Sequence, residues 1–322
     1  MELKQREYFV HVAELGSFTR AASFLNVVQP VLSRQVRALE VELRQTLLER
    51  NGRGVTMTEA GKRLLDHGRG ILAQVDRARL DLEEERGAAT GRLVISLPPS
   101  VSRTLTGPLV HAFRERFPKA TLCVLESLSA YSLEWLAIGR ADCVVVYNVV
   151  PSPTLELLPV LSEQLYLVSA RMRSAASTLI GEDATLAEVA HRPLVVPSRP
   201  HSIRMLLEAA MAKELLKPQV ALEIESIPAI LDLVQSDDVH AVLSLNAIRS
   251  SGREHALHVR ALAQPRLAAS LWIATSAQRP RGPLLDQAVR LLHQLIGQHL
   301  GAEVLPGGRA SVEQGARELA VS

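Results

Sequence analysis

Gln29, Pro30, Ser33, Arg34 and Arg37 carry the most specific chemistry in the sequence. Gln29, Ser33 and Arg37 recur every four residues, with Arg34 beside them, so they share one face of a helix. Gln can bridge N6 and N7 of adenine, Arg can bridge O6 and N7 of guanine, and Ser takes either role. These types at this spacing suit the edges of base pairs in duplex DNA. Leu32, Val36, Leu39 and Leu43 repeat on the opposite face and must point inward. Pro30 falls in the first turn, where a missing N–H does no harm.

The elements around this stretch follow from the same patterning. Tyr8, Phe9, Val12 and Ala13 mark the inner face of a helix over residues 3–15, ended by Gly16. Ser17 caps a second helix, whose Phe18, Ala21, Ala22 and Leu25 fall at i, i+3, i+4 and i+7. Asn26-Val27-Val28 breaks it before the helix that carries Gln29. Two short helices joined by a tight turn form a helix-turn-helix. Asn51-Gly52 and Gly54, followed by Val55-Thr56-Met57, predict a small hairpin wing. Arg53 at its tip either reaches a phosphate or minor groove or is simply a solvated turn arginine.

The stretches FTRAASFLNVVQPVLSRQVRALE and LLERNGRGVTMTEAG resemble the N-terminal signature of the LysR-type transcriptional regulators. The resemblance is dense over residues 1–65. Family members usually carry Ser or Thr where Val28 stands, as the cap of the recognition helix, and Phe where Leu48 stands. It implies a sequence-specific DNA-binding regulator whose recognition helix presents Gln29, Pro30, Ser33, Arg34 and Arg37, and whose wing presents Arg53.

Thr58-Glu59 opens a long helix, running to about Arg86 without proline. Leu64, Leu65, Ile71, Leu72, Val75, Ala78, Arg79 and Leu82 form its seam. A seam of that length predicts pairing with a second copy, and the resemblance makes this the dimer and linker helix. The expected division is a DNA-binding domain over 1–58, a linker helix over 59–87, a hinge of small residues at 88–91, a regulatory domain over 92–301, and a loose tail over 302–322.

Beyond the hinge, strand-like and helix-like runs alternate. Near-continuous apolar runs such as Asp142 to Tyr147 predict a mostly parallel sheet with helices on its faces. Two α/β units joined by crossing segments enclose a cleft, where small ligands bind. The fold class is therefore α plus α/β. The resemblance implies a C-terminal region like a type 2 periplasmic binding protein, with its effector in that cleft. LPPSVSRTLTGPLVHAF, ESLSAYSLEWLAIGRAD and VVVYNVVPSPTLELLPVLSEQL look most like the Nac-like subgroup, associated with nitrogen assimilation, some of whose members are thought to need no effector.

Pro98-Pro99-Ser100-Val101-Ser102 lies where a strand meets a helix, and hydroxyls and free N–H groups there suit an anion. The resemblance gives Ser100, Ser102 and Ser129 as effector contacts, although Ser102 also reads as a plain helix cap. Ser198 follows the strand PLVV, Asn246 follows AVLSL at the opposite rim, and Asn148 matches the subgroup's Tyr-Asn. Ser100, Ser129 and Ser198 are expected to ring a small anionic effector. Arg204 either pairs with a ligand carboxylate or is solvated.

The chain of 322 residues is 47% hydrophobic and 22% charged, an ordinary globular composition with a net charge of +2. Positive charge is local: Arg34, Arg37, Arg44, Arg50 and Arg53 stand against Glu40, Glu42 and Glu49. Aromatics at 3% argue against the stacking surfaces of single-strand and RNA binders. No apolar run of membrane-spanning length and no apolar leader is present, and Cys123 and Cys143 sit in apolar strand-like runs. The expected protein is cytoplasmic and bacterial. Its expected partners are promoter DNA, RNA polymerase, an effector, and further copies of itself in a tetramer. No Gly-x-Ser-x-Gly elbow or HExxH occurs. His255 and His258 lack a third ligand, and the other histidines read as surface or satisfied core groups. Gly54 to Lys62 misses the phosphate-loop spacing, with Arg63 where Ser or Thr is needed. No catalytic residue, metal or cofactor is expected.

Overall fold

The computed structural model describes residues 2–51, 54–83, 91–171 and 181–300. The chain divides into two compact units at Gly91/Arg92, with residues 135–141 grouping with the first. Arg53 and the expected hinge at 88–91, apart from Gly91, lie outside the described residues, as does the tail.

The first unit contains α1 (Leu3–Leu15), α2 (Phe18–Phe24), α3 (Gln29–Leu43), the hairpin β1 (Leu48–Asn51) and β2 (Gly54–Met57), and α4 (Glu59–Glu83). Gly16 adopts φ 60°, and this left-handed residue ends α1. Ser17 then accepts the Arg20 N–H and starts α2. The apolar faces of the helices meet in one core, where Phe9, Val12, Ala21, Leu32, Leu39 and Leu47 are fully buried. β1 and β2 pair antiparallel from Leu48↔Met57 to Asn51↔Gly54. The long seam of α4 is partly spent at home: Leu65 is buried in this core, and Leu64 and Leu72 pack against it.

The second unit contains β3 (Gly91–Leu97), α5 (Pro99–Arg116), β4 (Ala120–Glu126), α6 (Ser129–Ala137), β5 (Cys143–Tyr147) and β6 (Leu155–Ala170). There follow β7 (Ala184–Thr185), α7 (Leu186–Ala190), β8 (Pro193–Val196), α8 (Ser202–Lys213), β9 (Gln219–Glu223) and α9 (Ile227–Ser236). The remaining elements are β10 (Ala241–Ser244), α10 (Leu245–Arg249), β11 (Leu257–Gln264), β12 (Ala268–Ser276) and α11 (Pro283–His299). The main sheet runs β4-β3-β5-β12-β6-β11-β7, and β10 also pairs with β6.

The sheet is mixed rather than mostly parallel. β3 and β5 are parallel, whereas β12 is antiparallel to β5 and to β6; β8 and β9 pair parallel in a separate two-stranded sheet. β6 is the longest strand described, sixteen residues from Leu155 to Ala170. Its first part pairs with β12 from Leu155↔Ser276 to Gln164↔Ala268, and its last part pairs with β10 and β11. Pro159 and the polar Glu163-Gln164 hide this continuity in the sequence. Pro159 sits where the β6–β12 register shifts, a position that tolerates proline within a sheet. Among the described residues no helix is long and apolar enough to cross a membrane.

Candidate functional site

The residues expected to read DNA lie on the outer side of α3. Gln29, Pro30, Arg34 and Arg37 are exposed and Ser33 is half-buried, while Leu32, Val36 and Leu39 on the inner side are buried. Ser33 and Arg37 line a shallow concavity with Glu40 and Thr46. Val28, the residue before α3, supplies no side-chain cap, as the sequence implied. Its carbonyl takes the Val31 and Leu32 N–H groups, but the missing hydroxyl costs about 1 kcal/mol relative to Ser. The helix position therefore leans on its buried face.

Leu47 is the node that holds the wing beside α3. One carboxylate oxygen of Glu40 accepts the N–H groups of Leu47 at 2.8 Å and Leu48 at 3.1 Å. The Leu47 carbonyl accepts the Thr58 N–H at 3.0 Å, and the Thr58 hydroxyl donates to the Thr46 carbonyl at 2.7 Å. The same hydroxyl accepts the Gly61 N–H at 3.1 Å and so caps α4. Val55 N–H donates to the Gly16 carbonyl at 3.1 Å, fastening β2 to the end of α1. The sequence marked Glu40 only as an acid opposing the arginines. Its positioning role depends on a contact seven residues away that no helical period announces.

In the second unit, a cavity gathers the starts of four helices. Its lining includes Pro99 and Ser100 of α5, Ser129 of α6, Ser202 of α8 with its cap His201, and Ile227 of α9. Helix starts leave N–H groups without partners and favour negative charge. Ser129 Oγ accepts the Tyr147 N–H at 2.9 Å, so its own proton stays available to donate. The Tyr147 phenol, also in the lining, donates to Glu163 at 2.8 Å. Burial and the Glu163 charge hold its pKa well above the usual tyrosine value, so it remains neutral.

His201 is the lining residue that sequence reasoning missed. Its Nδ1 accepts the Ile203 N–H at 3.3 Å and caps α8, which leaves the proton on Nε2. Burial pushes its pKa down to about 4, so the ring is neutral at ordinary pH. A histidine just before an apolar helix was the available signal, but His is not a usual cap. The lining contains no lysine or arginine. The cavity holds about 30 Å³, room for one or two waters.

Of the expected effector residues, the cavity brings Ser100 and Ser129 together. The other four do not line it. Ser102 pairs with Thr106 at 3.2 Å inside α5, which already begins at Pro99, so it is not the helix cap the sequence suggested. Ser198 uses its carbonyl to accept the His201 N–H at 3.2 Å. Asn148, at φ 51°, ends β5 by exchanging hydrogen bonds with Ser270 at 2.8 and 2.9 Å. Asn246 is buried and links α10 to α5, donating to the Ser100 carbonyl and accepting from Thr104, both at 3.4 Å. Arg204 is neither solvated nor aimed at a ligand. Only 7% exposed, it binds Glu208 at 2.9 Å, Glu223 at 2.8 Å and the Pro197 carbonyl at 3.0 Å. Cys143 is buried and its thiol pKa is pushed up to about 12, which makes it inert. Cys123 is half-buried.

A winged helix-turn-helix in one unit and an α/β fold with a small cavity in the other define a DNA-binding regulator. Residues 3–62 match the model of the bacterial regulatory helix-turn-helix proteins of the lysR family, and residues 86–299 match the LysR substrate binding domain. The chain belongs to the LysR family of transcriptional regulators. It is 32% identical over 300 residues to the nitrogen assimilation regulatory protein nac of Klebsiella aerogenes, covering 92% of this chain and 96% of that protein. It is 34% identical over 251 residues to nac of Escherichia coli (strain K12), covering 78% and 80%. The fold is also that of CbnR, a LysR family regulator solved in complex with its target DNA. The match has a TM-score of 0.65 at 24% identity, over 92% of this chain and all (100%) of that one.

Proposed function

We propose that this regulator reads duplex promoter DNA with the outer face of α3, steadied by the wing, and that a small anionic effector in the cavity controls it. The observation that carries the DNA reading is the division of α3 into two faces. Gln29, Arg34 and Arg37 stand free of the core while Leu32, Val36 and Leu39 hold the helix down. Arg34→Ala is expected to cost about 1–3 kcal/mol of operator binding and to relax preference at one base. Arg53→Ala is expected to weaken binding evenly across sequences and to flatten its salt dependence. Fluorescence anisotropy on an operator selected from random duplexes measures both. An Arg34→Ala protein that keeps the original preference would overturn the assignment.

The effector reading rests on the donors at three helix starts: Ser100, Ser129, and Ser202 with His201. Ser100→Val removes one donor and is expected to weaken effector affinity about tenfold or more, as for a hydrogen bond to a charged group. An unchanged affinity would remove Ser100 from the site. A thermal-shift screen of the full chain against metabolite anions supplies the compound. Effector binding must part the walls, and the movement would act on the DNA-bound assembly, a tetramer of two dimers that presents a surface to RNA polymerase. The chain binds rather than catalyses, and it works in the bacterial cytoplasm.

One observation favours a second reading, in which no effector is needed and abundance sets activity. The cavity of about 30 Å³ is too small for a metabolite without rearrangement. A folded full chain that no anion stabilises, yet that regulates its promoter in a purified transcription system, would establish that alternative.

A further inference from the structure

Val27 and Val28 are adjacent valines with opposite fates. Val27 packs against the core of the first unit, whereas Val28 is 66% exposed at the very start of α3. Its neighbours Gln29 and Pro30 are exposed as well. As the residue before the first helical turn, Val28 occupies the position where a hydroxyl or carboxylate would cap the helix, and its side chain makes no cap. The isopropyl group therefore serves neither the core nor the helix end.

A recognition helix enters the major groove with its N-terminal residues against the base edges. In unmodified DNA the one apolar group offered there is the C5-methyl of thymine; the remaining features are donors and acceptors. We infer that Val28 reads a thymine methyl at the step next to the base pair met by Gln29, so that the residue which gives up the cap adds to base preference. The inference rests on the proposed reading of DNA by α3. A single exposed valine elsewhere would call for no explanation. Here the leading edge of the recognition helix and the absent cap coincide in one side chain.

The test uses the full chain and an operator selected from random duplex DNA. Each thymine is replaced in turn by deoxyuridine, which removes the methyl and keeps the pairing. One thymine in each half-site is expected to weaken binding about fourfold on replacement, the worth of one buried methyl-sized group. Val28→Ala is expected to bind the thymine and uracil operators alike. Val28→Ser is expected to do the same while melting at a higher temperature, because it restores the cap. If no thymine responds to uracil in the parent protein, or if Val28→Ala responds as the parent does, the inference is overturned and DNA reading by α3 stands. If selection yields no preferred sequence, the DNA reading itself fails.

Discussion

Gly61→Ala is expected to destabilise the first unit by about 3 kcal/mol, through overpacking that has no soft neighbour to absorb it. Gly61 lies in the first turn of α4, where helix propensity alone favours Ala by roughly 0.5–1 kcal/mol. The packing reverses that sign. A Cβ at this position would land on the backbone carbonyl oxygen of Leu47. That oxygen is already held by Thr58, and the Leu47 side chain is locked in the core. Either α4 or the β1 segment has to move, and with β1 the wing leaves its place beside α3. Calorimetry on the full chain is expected to show a melting transition lowered by roughly 10–20 °C for a unit of this size. A raised transition would mean that α4 packs farther from Leu47 than described. Operator affinity is expected to fall in parallel.

Glu40→Ala is expected to cost about 2–4 kcal/mol. It removes the acceptor of two backbone N–H groups, those of the buried residues Leu47 and Leu48. The same oxygen accepts both bonds, so Glu40→Gln keeps the geometry and loses only the charge. The amide variant is therefore expected to recover at least half of the lost stability. Denaturant titration of the three proteins separates the outcomes. If Gln and Ala are equally unstable, the charge of Glu40 matters and its aim does not. If both match the parent, water satisfies Leu47 and Leu48 without it.

Local signals made most of the first unit legible in the sequence. The cap at Ser17, the stop at Gly16, the two faces of α3 and the turn residues of the wing each act within a few residues of where they are written. The second unit was legible where strands and helices alternate, and misread where the chain crosses. β6 is hard to see as one strand because Pro159 and Glu163 look like loop residues, and only their partners in β12 make them a strand. The starts of helices resisted in the same way. Ser102 reads as a helix cap, yet Pro99 already opens α5 three residues earlier. The cavity lining was partly legible because hydroxyls at helix starts are a local pattern. His201 and the ion-pair hub at Arg204 were not, since burial by distant segments sets the state of each.

The order of strands has a consequence for how the protein is made. β5 is buried along its length and is flanked by β3 and β12, and β12 is not synthesised until residues 268–276. Until then Cys143–Tyr147 presents an open, apolar edge to the cell, whereas α1 to β2 complete most of their contacts among themselves within the first 57 residues. A nascent or prematurely stopped chain ending near residue 264 would carry a finished DNA-reading head on an unfinished, adhesive body. Aggregation of such fragments, rather than loss of the head, is the expected phenotype of late nonsense mutations.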